Sequence, residues 1–340
     1  MNFAMLSDAK GCTVGWGDFK KTPQALKNAF YINDFELSDI TPWFQFENTK
    51  QLSLNEALDL LEMGAVLPFM SDLYLPDYEQ FRLDYEEAQS AFEEGFFKKV
   101  LLGATEWAAF TAKQSPLKLL ELGVEEKLQE GMYFYAYSLD GHGAWGLSPE
   151  LLFKKQSDSI KTMALAGTFA QTVENRHAPE HSEVVEFFRE LAAKHKMTMS
   201  LGAQQTLPYG KIKHLKSDVS LGQIPDLNLN DWIAEFHPTP ALGVSPRNKD
   251  TLKAIKKFRS SFPKNFGAPF GFQYEDYFQA IVAIRGFFFD REKVYRPIGV
   301  GVTKSSSLVA EWKEISLKRF AMDELIGALM DRSGEVHGIA

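Results

Sequence analysis

Apolar residues recur with helical spacing in the first part of the chain. Leu54, Leu58 and Leu61 follow the period of an amphipathic helix, which predicts a helix over residues 53–63. A second helix is predicted over residues 77–96, where acidic residues dominate and are expected to face solvent. The spacing therefore predicts two helices, and near residue 97 the pattern changes from that of a helix to that of a strand.

Other segments of the chain show the patterns that are typical of β-strands, above all an alternation of apolar and polar residues. Strands are predicted over residues 12–17, from Lys99 onward, and over 132–138, 143–146, 151–155 and 160–168. A hairpin is predicted from residues 277–289 and 293–302. Further helices are predicted over residues 175–196, 229–236 and from Ser307 onward. Because the helices interrupt the strands without a regular βαβ alternation, the pattern predicts an α+β fold with mainly antiparallel sheet.

Two segments between these elements have neither period. Residues 210–216 form a basic, polar stretch, and residues 237–243 form a turn in which two prolines fix the backbone. The chain shows no internal repeat, low-complexity linker or obvious domain boundary. A chain of 340 residues can bury one large core. We therefore expect a single domain over residues 1–340.

Composition and charge exclude several classes of function. The net charge is −8, and no basic block is interleaved with aromatic residues, which argues against a nucleic-acid surface. The single cysteine, Cys12, excludes an internal disulfide framework and a thiolate zinc cluster. No run of about 18 apolar residues and no signal-peptide pattern is present. We expect a cytoplasmic protein with neither a nucleic-acid nor a membrane partner.

A glycine turn followed by a helix stands near the C-terminus. Gly299 and Gly301 have no Cβ, so backbone amides there can approach a ligand closely. Ser307 is suited to cap the N-terminus of the helix that follows. The segment therefore predicts a strand end, a tight turn and a helix beside a possible binding site.

The charged residues of this helix allow two interpretations. Glu311, Glu314 and Lys318 fall at i, i+3 and i+7, which places them on one stripe. Two carboxylates and an ammonium beside a glycine turn could hold a hard metal ion and an anionic ligand. The same spacing is typical of a solvated, salt-bridged helix face. The pattern alone leaves both interpretations open.

Polar residues also stand at the ends of other predicted elements. Lys99 lies where a strand begins, and Glu150 follows a proline that leaves the ladder at the start of another strand. Glu180 and His181 lie in the first turn of a helix, where acidic residues are common because of the helix dipole. Each of these residues also has an ordinary structural explanation when it is considered alone.

Seven short motifs resemble, in order, those of the chorismate-utilising enzymes. They are Lys98-Lys-Val-Leu-Leu, Ser148-Pro-Glu-Leu-Leu, Ala164-Leu-Ala-Gly-Thr, Glu180-His-x-x-Val, His237-Pro-Thr-Pro-Ala-Leu-Gly, Ala283-Ile-Arg and Gly299-x-Gly…Glu311-Trp-x-Glu-x-x-x-Lys. The motif-bearing part covers residues 95–325, and the isochorismate synthases are the branch that it most resembles. Residues 1–94 would be a variable N-terminal part of the same domain. The resemblance implies antiparallel sheets packed face to face with helices outside.

The resemblance also implies a catalytic pair and a metal site. Lys99 would be the base that activates water for attack at C2 of chorismate. Glu150 would be the acid that protonates the departing C4 hydroxyl. Glu180, Glu311 and Glu314 would hold Mg²⁺, which an acidic pocket needs if it is to accept a dianion.

The implied substrate contacts come from several motifs. Backbone groups at the glycines, together with Arg285 and Lys318, would bind the two substrate carboxylates. Thr239 and Ala241 would shape the wall near the ring. The full set of implied substrate-binding residues is Leu165, Ala166, Gly167, Thr168, His181, Thr239, Ala241, Arg285, Gly299, Gly301 and Lys318.

The chain departs from the family pattern in three places. Ala104 stands where an arginine is common, and Pro263-Lys264 occupy another position near which the family often has arginine. The connection between residues 168 and 180 is short, which leaves Glu183 as an alternative to Glu180 for the metal ligand. The lost arginines could mean a weaker scaffold or a changed substrate.

The motifs favour some chorismate chemistries over others. Ala166 cannot serve as the lysine nucleophile of the aminodeoxychorismate branch, and the Ser-Gly-Ala-Pro-Lys extension of the anthranilate branch is absent. Water is therefore the expected nucleophile, and isochorismate synthase the expected activity. A salicylate synthase and an inactive chorismate-binding protein remain alternatives. The product could feed menaquinone or siderophore biosynthesis, and we expect a monomer or weak homodimer.

Overall fold

The computed structural model describes residues 1–61, 74, 76–109, 131–170, 178–209 and 212–330. The strands are β1 Phe3–Asp8, β2 Gly11–Thr22, β3 Ala29–Ile32, β4 Trp43–Leu52, β5 Lys99–Ala109, β6 Tyr133–Leu139, β7 His142–Ser148, β8 Leu151–Gln156, β9 Ser159–Ala170, β10 Thr198–Leu201, β11 Gln205–Tyr209, β12 Ile212–Gly222, β13 Val244–Ser245, β14 Pro269–Tyr274, β15 Tyr277–Val282, β16 Gly286–Phe289 and β17 Lys293–Thr303. The α-helices are α1 Leu54–Leu60, α2 Tyr78–Glu93, α3 Ala178–Lys194, α4 Leu229–Phe236, α5 Lys249–Ala254 and α6 Leu308–Met330, and a 3₁₀ turn spans Ile255–Arg259.

The described strands pair antiparallel, which confirms the predicted α+β class. The N-terminal strands belong to the same sheet system as the motif-bearing ones. Phe3 of β1 pairs with Ser138 of β6, and Ile32 of β3 pairs with Phe270 of β14. Strands β1 and β3 therefore extend the sheet that carries the motifs.

No strand was predicted from the sequence for the basic stretch at residues 212–216. These five residues lie in β12, which pairs with β11 and, over its whole length, with β9. The alternation was hidden because buried positions of β12 include the polar residues His214 and Ser217. A strand with polar residues on its inner face does not show the usual apolar period.

The first arm of the predicted hairpin is two strands rather than one. β15 pairs with β8 and β14, whereas β16 pairs with β7 and β17, so only β16 and β17 form the hairpin. The break between them contains Arg285, whose φ of 55° lies in the left-handed region. Because of this turn, Arg285 takes no part in the strand pairing, and its side chain can point into the pocket.

Helices α2 and α6 cover one face of the β5–β17 pair. Phe81 of α2 and Ile315 of α6 are buried in one cluster with Val100 of β5 and Val300 of β17. The predicted cap of α6 is confirmed, since the backbone N–H of Ala310 donates to Ser307 Oγ at 3.3 Å. Because side chains alternate along a strand, Lys99 and Leu101 point to the opposite face, where the pocket lies.

No helix within the described ranges is long and apolar enough to cross a lipid bilayer.

Candidate active site

Lys99 is a buried lysine at the first position of β5. It lies opposite Thr303 of β17 and Ser245 of β13, so strands flank it on both sides. Its side chain is 3% exposed, and Nζ lies 3.0 Å from Glu180 Oε1 in the first turn of α3. A lysine that reaches solvent from a sheet edge would instead have an exposed ammonium group. The strand and the helix together hold one ion pair inside the protein.

Gly301 makes room for this ion pair. A Cβ at Gly301 would lie 2.5 Å from Lys99 Cε and 2.9 Å from Glu180 Oε1, which is closer than real contacts allow. The sequence suggested Gly301 only as a point of close approach to a ligand. The structure adds that a side chain at Gly301 would disturb the Lys99–Glu180 contact.

The turn between β7 and β8 holds Glu150 in the same pocket. Ser148 Oγ donates to the carbonyl oxygen of Val282 at 2.7 Å, and the backbone N–H of Glu150 donates to Ser148 Oγ at 3.2 Å. Thr239 Oγ1 then donates to Glu150 Oε1 at 2.9 Å. Thr239 does not itself line the pocket but holds the carboxyl that does. The backbone and one side-chain oxygen of Glu150 are therefore fixed.

Burial raises the pKa of Glu150 to about 7. Desolvation is the largest cause, because removing the carboxylate from water disfavours its charged form. The Thr239 hydrogen bond and the positive charges of Lys99 and Arg285 act in the opposite direction and are smaller. A carboxyl with such a pKa is partly protonated at neutral pH, which is the condition for a general acid.

Arg285 enters the pocket beside His214, a residue that the sequence analysis missed. Arg285 Nη2 lies 3.3 Å from His214 Nε2, and His214 Nδ1 lies 3.3 Å from the carbonyl oxygen of Gly167. A guanidinium only donates and a carbonyl only accepts, so both contacts are satisfied by a neutral imidazole protonated on Nδ1. The Arg285 guanidinium also lies 5.0 Å from the centre of the Tyr209 ring, and burial lowers its pKa.

The end of β9 forms another wall of the pocket. Leu165, Ala166 and Gly167 line the pocket, and Gly167 has a φ of 76°, which favours glycine. Thr168 pairs through its backbone with His214, but its side chain lies outside the described part of the structure. The β9–β12 register shifts at His214, and this irregularity accompanies the turn of the backbone at Gly167.

The charged stripe of α6 faces the edge of β17 and not solvent. Lys318 Nζ lies 2.7 Å from Glu314 Oε1 and donates to the carbonyl oxygen of Gly299 at 2.8 Å. Lys318 and Glu314 both line the pocket, as do Gly299 and Ala241. The interpretation of this stripe as a solvated helix face is therefore wrong for Glu314 and Lys318.

Glu311 lies beside this pair without lining the pocket. Its pKa is raised to about 7, first by burial and then by the nearby negative charges of Glu314 and Glu180. A hydrogen bond from Ser306 and the charge of Lys318 oppose this rise. Three carboxylates from two helices therefore lie close enough to repel one another.

The donor atoms of the glutamates suit a magnesium ion by their chemical type. Glu180, Glu311 and Glu314 offer only oxygen ligands, which Mg²⁺ prefers. Glu183, one helical turn after Glu180, has a buried oxygen, Oε2, with no hydrogen-bond partner in the described structure. Among the described residues, no group of three carboxylate, imidazole or thiol side chains is arranged so that it could hold a metal ion. Mg²⁺ usually takes one or two carboxylates and completes its shell with water and substrate, so a closed set is not required.

His181 is buried behind the pocket wall. It is 4% exposed and its Nε2 has no hydrogen-bond partner among the described residues. Burial lowers its pKa, while a hydrogen bond to the backbone of Ala164 opposes that change. It does not line the pocket, so its predicted contact with substrate stays a prediction.

The proline turn at residues 237–243 is held from outside the site. His237 Nε2 lies 2.7 Å from the carbonyl oxygen of Phe35, and burial lowers the pKa of His237 to about 3. Since a neutral imidazole can donate here, His237 has a structural role. Arg259 Nη2 donates to the carbonyl oxygen of Phe266 at 2.6 Å, and its guanidinium lies 3.3 Å from the centre of the Phe35 ring. Arg259 thus supports the Phe266 turn, although no arginine stands at Pro263-Lys264, near which the family often has one.

Comparisons with known proteins match this site to one family. A family model described as chorismate binding enzyme matches residues 67–327. The isochorismate synthase MenF of Bacillus subtilis is 24% identical over 267 residues, which cover 71% of this chain and 54% of that relative. This chain therefore spans about half the length of the curated relative.

Two solved structures share the fold. MenF, the menaquinone-specific isochorismate synthase of Escherichia coli, has a TM-score of 0.76 at 16% identity and covers 96% of this chain and 89% of its own. DhbC of Bacillus anthracis, a 2,3-dihydroxybenzoate-specific isochorismate synthase by its description, has a TM-score of 0.76 at 18% identity and covers 96% of each chain. With the family model matching most of its length, the chain belongs to the chorismate binding enzyme family.

Proposed function

We propose that the protein is an isochorismate synthase that converts chorismate to isochorismate with Mg²⁺. One observation carries the proposal: the Lys99 amine and the Glu150 carboxyl line one pocket, where burial raises the pKa of Glu150 to about 7. The names of the matched relatives agree with this reaction, since they are isochorismate synthases. The pocket thus pairs a possible base with a possible acid.

Moving a hydroxyl from C4 to C2 requires one group that takes a proton and one that gives a proton. Lys99, in its neutral form, takes a proton from a water molecule whose oxygen forms the new bond to C2. The ring double bonds shift, the C4–oxygen bond breaks, and protonated Glu150 gives its proton to the departing hydroxyl. One water molecule enters and one leaves, so the net reaction is an isomerisation.

The pocket also offers cations for a dianionic substrate. Arg285 and Lys318 both line it, and a guanidinium can bind a carboxylate through two parallel hydrogen bonds. His214 orients the Arg285 guanidinium from behind at 3.3 Å. Lys318 is held against Gly299 of β17, so its position is fixed as well. These contacts would orient the ring between Lys99 and Glu150.

The glutamates of α3 and α6 would hold the metal. Glu180, Glu311 and Glu314 would be the ligands, with Glu183 as a further oxygen donor. A bound Mg²⁺ supplies positive charge that offsets the repulsion between these carboxylates and a substrate carboxylate. Ala166 leaves no side-chain nucleophile at that wall of the pocket, which favours attack by water.

A product assay tests the proposal. The protein is incubated with chorismate and Mg²⁺, or with chorismate and a chelator, and the products are separated by chromatography with fluorescence detection of salicylate. We expect isochorismate as the main product and its loss on chelation. Salicylate as the main product would instead support a salicylate synthase.

A pair of adjacent lysines provides the matched control. Lys99→Met removes the proposed base, whereas Lys98→Met changes an exposed lysine one residue earlier. We expect the first variant to lose about 10²–10⁴-fold in kcat and the second to keep wild-type activity. Chorismate binding without turnover in the wild-type protein would support an inactive binding protein.

A further inference from the structure

A buried ion pair links the two strands that carry the site. Glu106 of β5 and Arg296 of β17 lie opposite each other in the ladder and are 0% and 1% exposed. Arg296 Nε and Nη2 both bond to Glu106 Oε2. The pair lies on the face that α6 covers, since Arg296 and Ile298 share one face of β17.

Each member of the pair also contacts α6. Arg296 Nη1 bonds to Asp323 Oδ1, and Arg319 Nε lies 3.0 Å from Glu106 Oε1, an ionic contact rather than a hydrogen bond. Arg319 and Asp323 are one helical turn apart, and their side chains are each 40% exposed. The four charges cancel, and two partly exposed helix residues are tied to two buried strand residues.

The same helical turn reaches the pocket. Lys318, next to Arg319 in sequence, donates to the carbonyl oxygen of Gly299 on β17. Sliding α6 by one residue would move it about 1.5 Å along its axis and turn it by about 100°. Ionic contacts depend on direction as well as distance, so such a shift would break all of them together with the packing of Ile315.

Stability alone gives a weak reason for this arrangement. The desolvation of a buried ion pair offsets most of its attraction, so apolar residues of similar volume often give equal stability. In some proteins a buried polar group instead selects one packing register among several. Glu106 and Arg296 have no place in the proposed chemistry, because neither lines the pocket.

We propose that Glu106 and Arg296 are positioning residues that set the register of α6 on β17. By holding Arg319 and Asp323, they aim Glu314 and Lys318 of the same helix into the pocket. The consequence for substrate rests on the proposed function, whereas the consequence for the position of α6 does not.

The test compares helix position, stability and activity in one variant. Glu106→Leu/Arg296→Met removes both buried charges, and Arg319 and Asp323 can then turn to water. Nitroxide labels at exposed Leu317 on α6 and at exposed Ile40, which lies between β3 and β4, report the distance between α6 and the connection of these two strands. The single native cysteine, Cys12, is buried, so labelling at introduced cysteines is selective.

We expect the double variant to melt within a few degrees of the wild type but to show a broadened or shifted label distance. Its kcat/KM for chorismate should fall about tenfold. Glu106→Gln, which keeps a hydrogen bond to Arg296 but loses the charge that holds Arg319, should show a smaller broadening. This single variant decides the question if the double variant does not fold. Removing an exposed ion pair with Glu79→Leu/Arg82→Met is the control and should change neither the label distance nor kcat/KM.

An unchanged label distance in the double variant, or in Glu106→Gln where only that variant folds, overturns the proposal whatever happens to activity. If the wild-type protein does not convert chorismate, the proposed function fails, and the label distance still decides the role of Glu106 and Arg296.

Discussion

Helices α2 and α6 carry similar charge patterns in opposite surroundings. On α2, Arg82 contacts Glu79 and Glu86, and the three side chains are 31%, 62% and 56% exposed. On α6, Lys318 contacts Glu314 with the same i, i+4 spacing, but these side chains are only 11% and 24% exposed. The spacing of charges is thus shared, and burial is what separates the two helices.

The difference shows why charge spacing alone does not identify a site. Exposed ion pairs are screened by water and contribute little. On α6 the charged stripe lies against the edge of β17, near residues from distant segments, and burial there raises the pKa of Glu311 to about 7. Buried, mutually interacting charges can bind metal and substrate, whereas those on α2 mainly keep the surface hydrated.

The largest expected effect separates a buried carboxyl from an exposed one. Glu150→Gln should lower kcat by about 10²–10⁴-fold, because the amide has no proton to give at neutral pH. Glu79→Gln on α2 should leave kcat unchanged. Steady-state kinetics of isochorismate formation measures both. Equal activity in the two variants would remove Glu150 from the chemistry.

The pH dependence of stability should show the same contrast. The pKa of Glu150 is about 7 in the folded protein and near its ordinary value of 4.5 when unfolded, so the folded state binds more protons between these values. Its contribution to the free energy of unfolding therefore decreases as pH rises through this window, by about 2–3 kcal/mol between pH 5 and 8. Urea unfolding of wild type and Glu150→Gln at both pH values measures it.

In Glu150→Gln this decrease in the free energy of unfolding between pH 5 and 8 should be missing. Glu79→Gln should show the same decrease as the wild type. Parallel curves for wild type and Glu150→Gln would contradict a raised pKa at Glu150.

The sequence predicted the convergence of distant motifs better than the surroundings of each residue. Lys99, Glu150, Arg285 and Lys318 line one pocket, as the ordered motifs implied. The motifs work because they mark backbone turns and charges that the family places together. They carry no information on burial, so the sequence left the charged stripe of α6 undecided.

The residues that were missed share a physical cause. His214 stands in a strand whose inner face is partly polar, so its segment lacked the apolar alternation that would have indicated a strand. Arg259 supports the Phe266 turn from a 3₁₀ turn seven residues away, a distance that the motif pattern does not cover. Both act through contacts that form only when separate segments meet.

A smaller effect is expected where an added methyl group would collide with the buried ion pair. Gly301→Ala would place a Cβ within 2.5 Å of Lys99 Cε, so the Lys99–Glu180 pair must move. Overpacking of this kind costs about 1–3 kcal/mol. Gly202→Ala is the matched control, because the nearest atom to its Cβ would be 3.4 Å away. Chemical denaturation should show a loss for the first variant only, and equal stability would mean that the pair relaxes freely.

The smallest expected effect lies on α2 and completes the comparison. Arg82→Met removes contacts to Glu79 and Glu86, yet the free energy of unfolding should change by only about 0.2–1 kcal/mol, since water replaces those contacts. Lys318→Met removes one contact to a carboxylate and one to the Gly299 carbonyl, both in a place that water reaches poorly, and should weaken chorismate binding as well as stability. Calorimetric titration with chorismate and urea unfolding of both variants measure this. If Arg82→Met and Lys318→Met behaved alike, burial would not be what separates the two helices, and the charged stripe of α6 would have no more functional significance than that of α2.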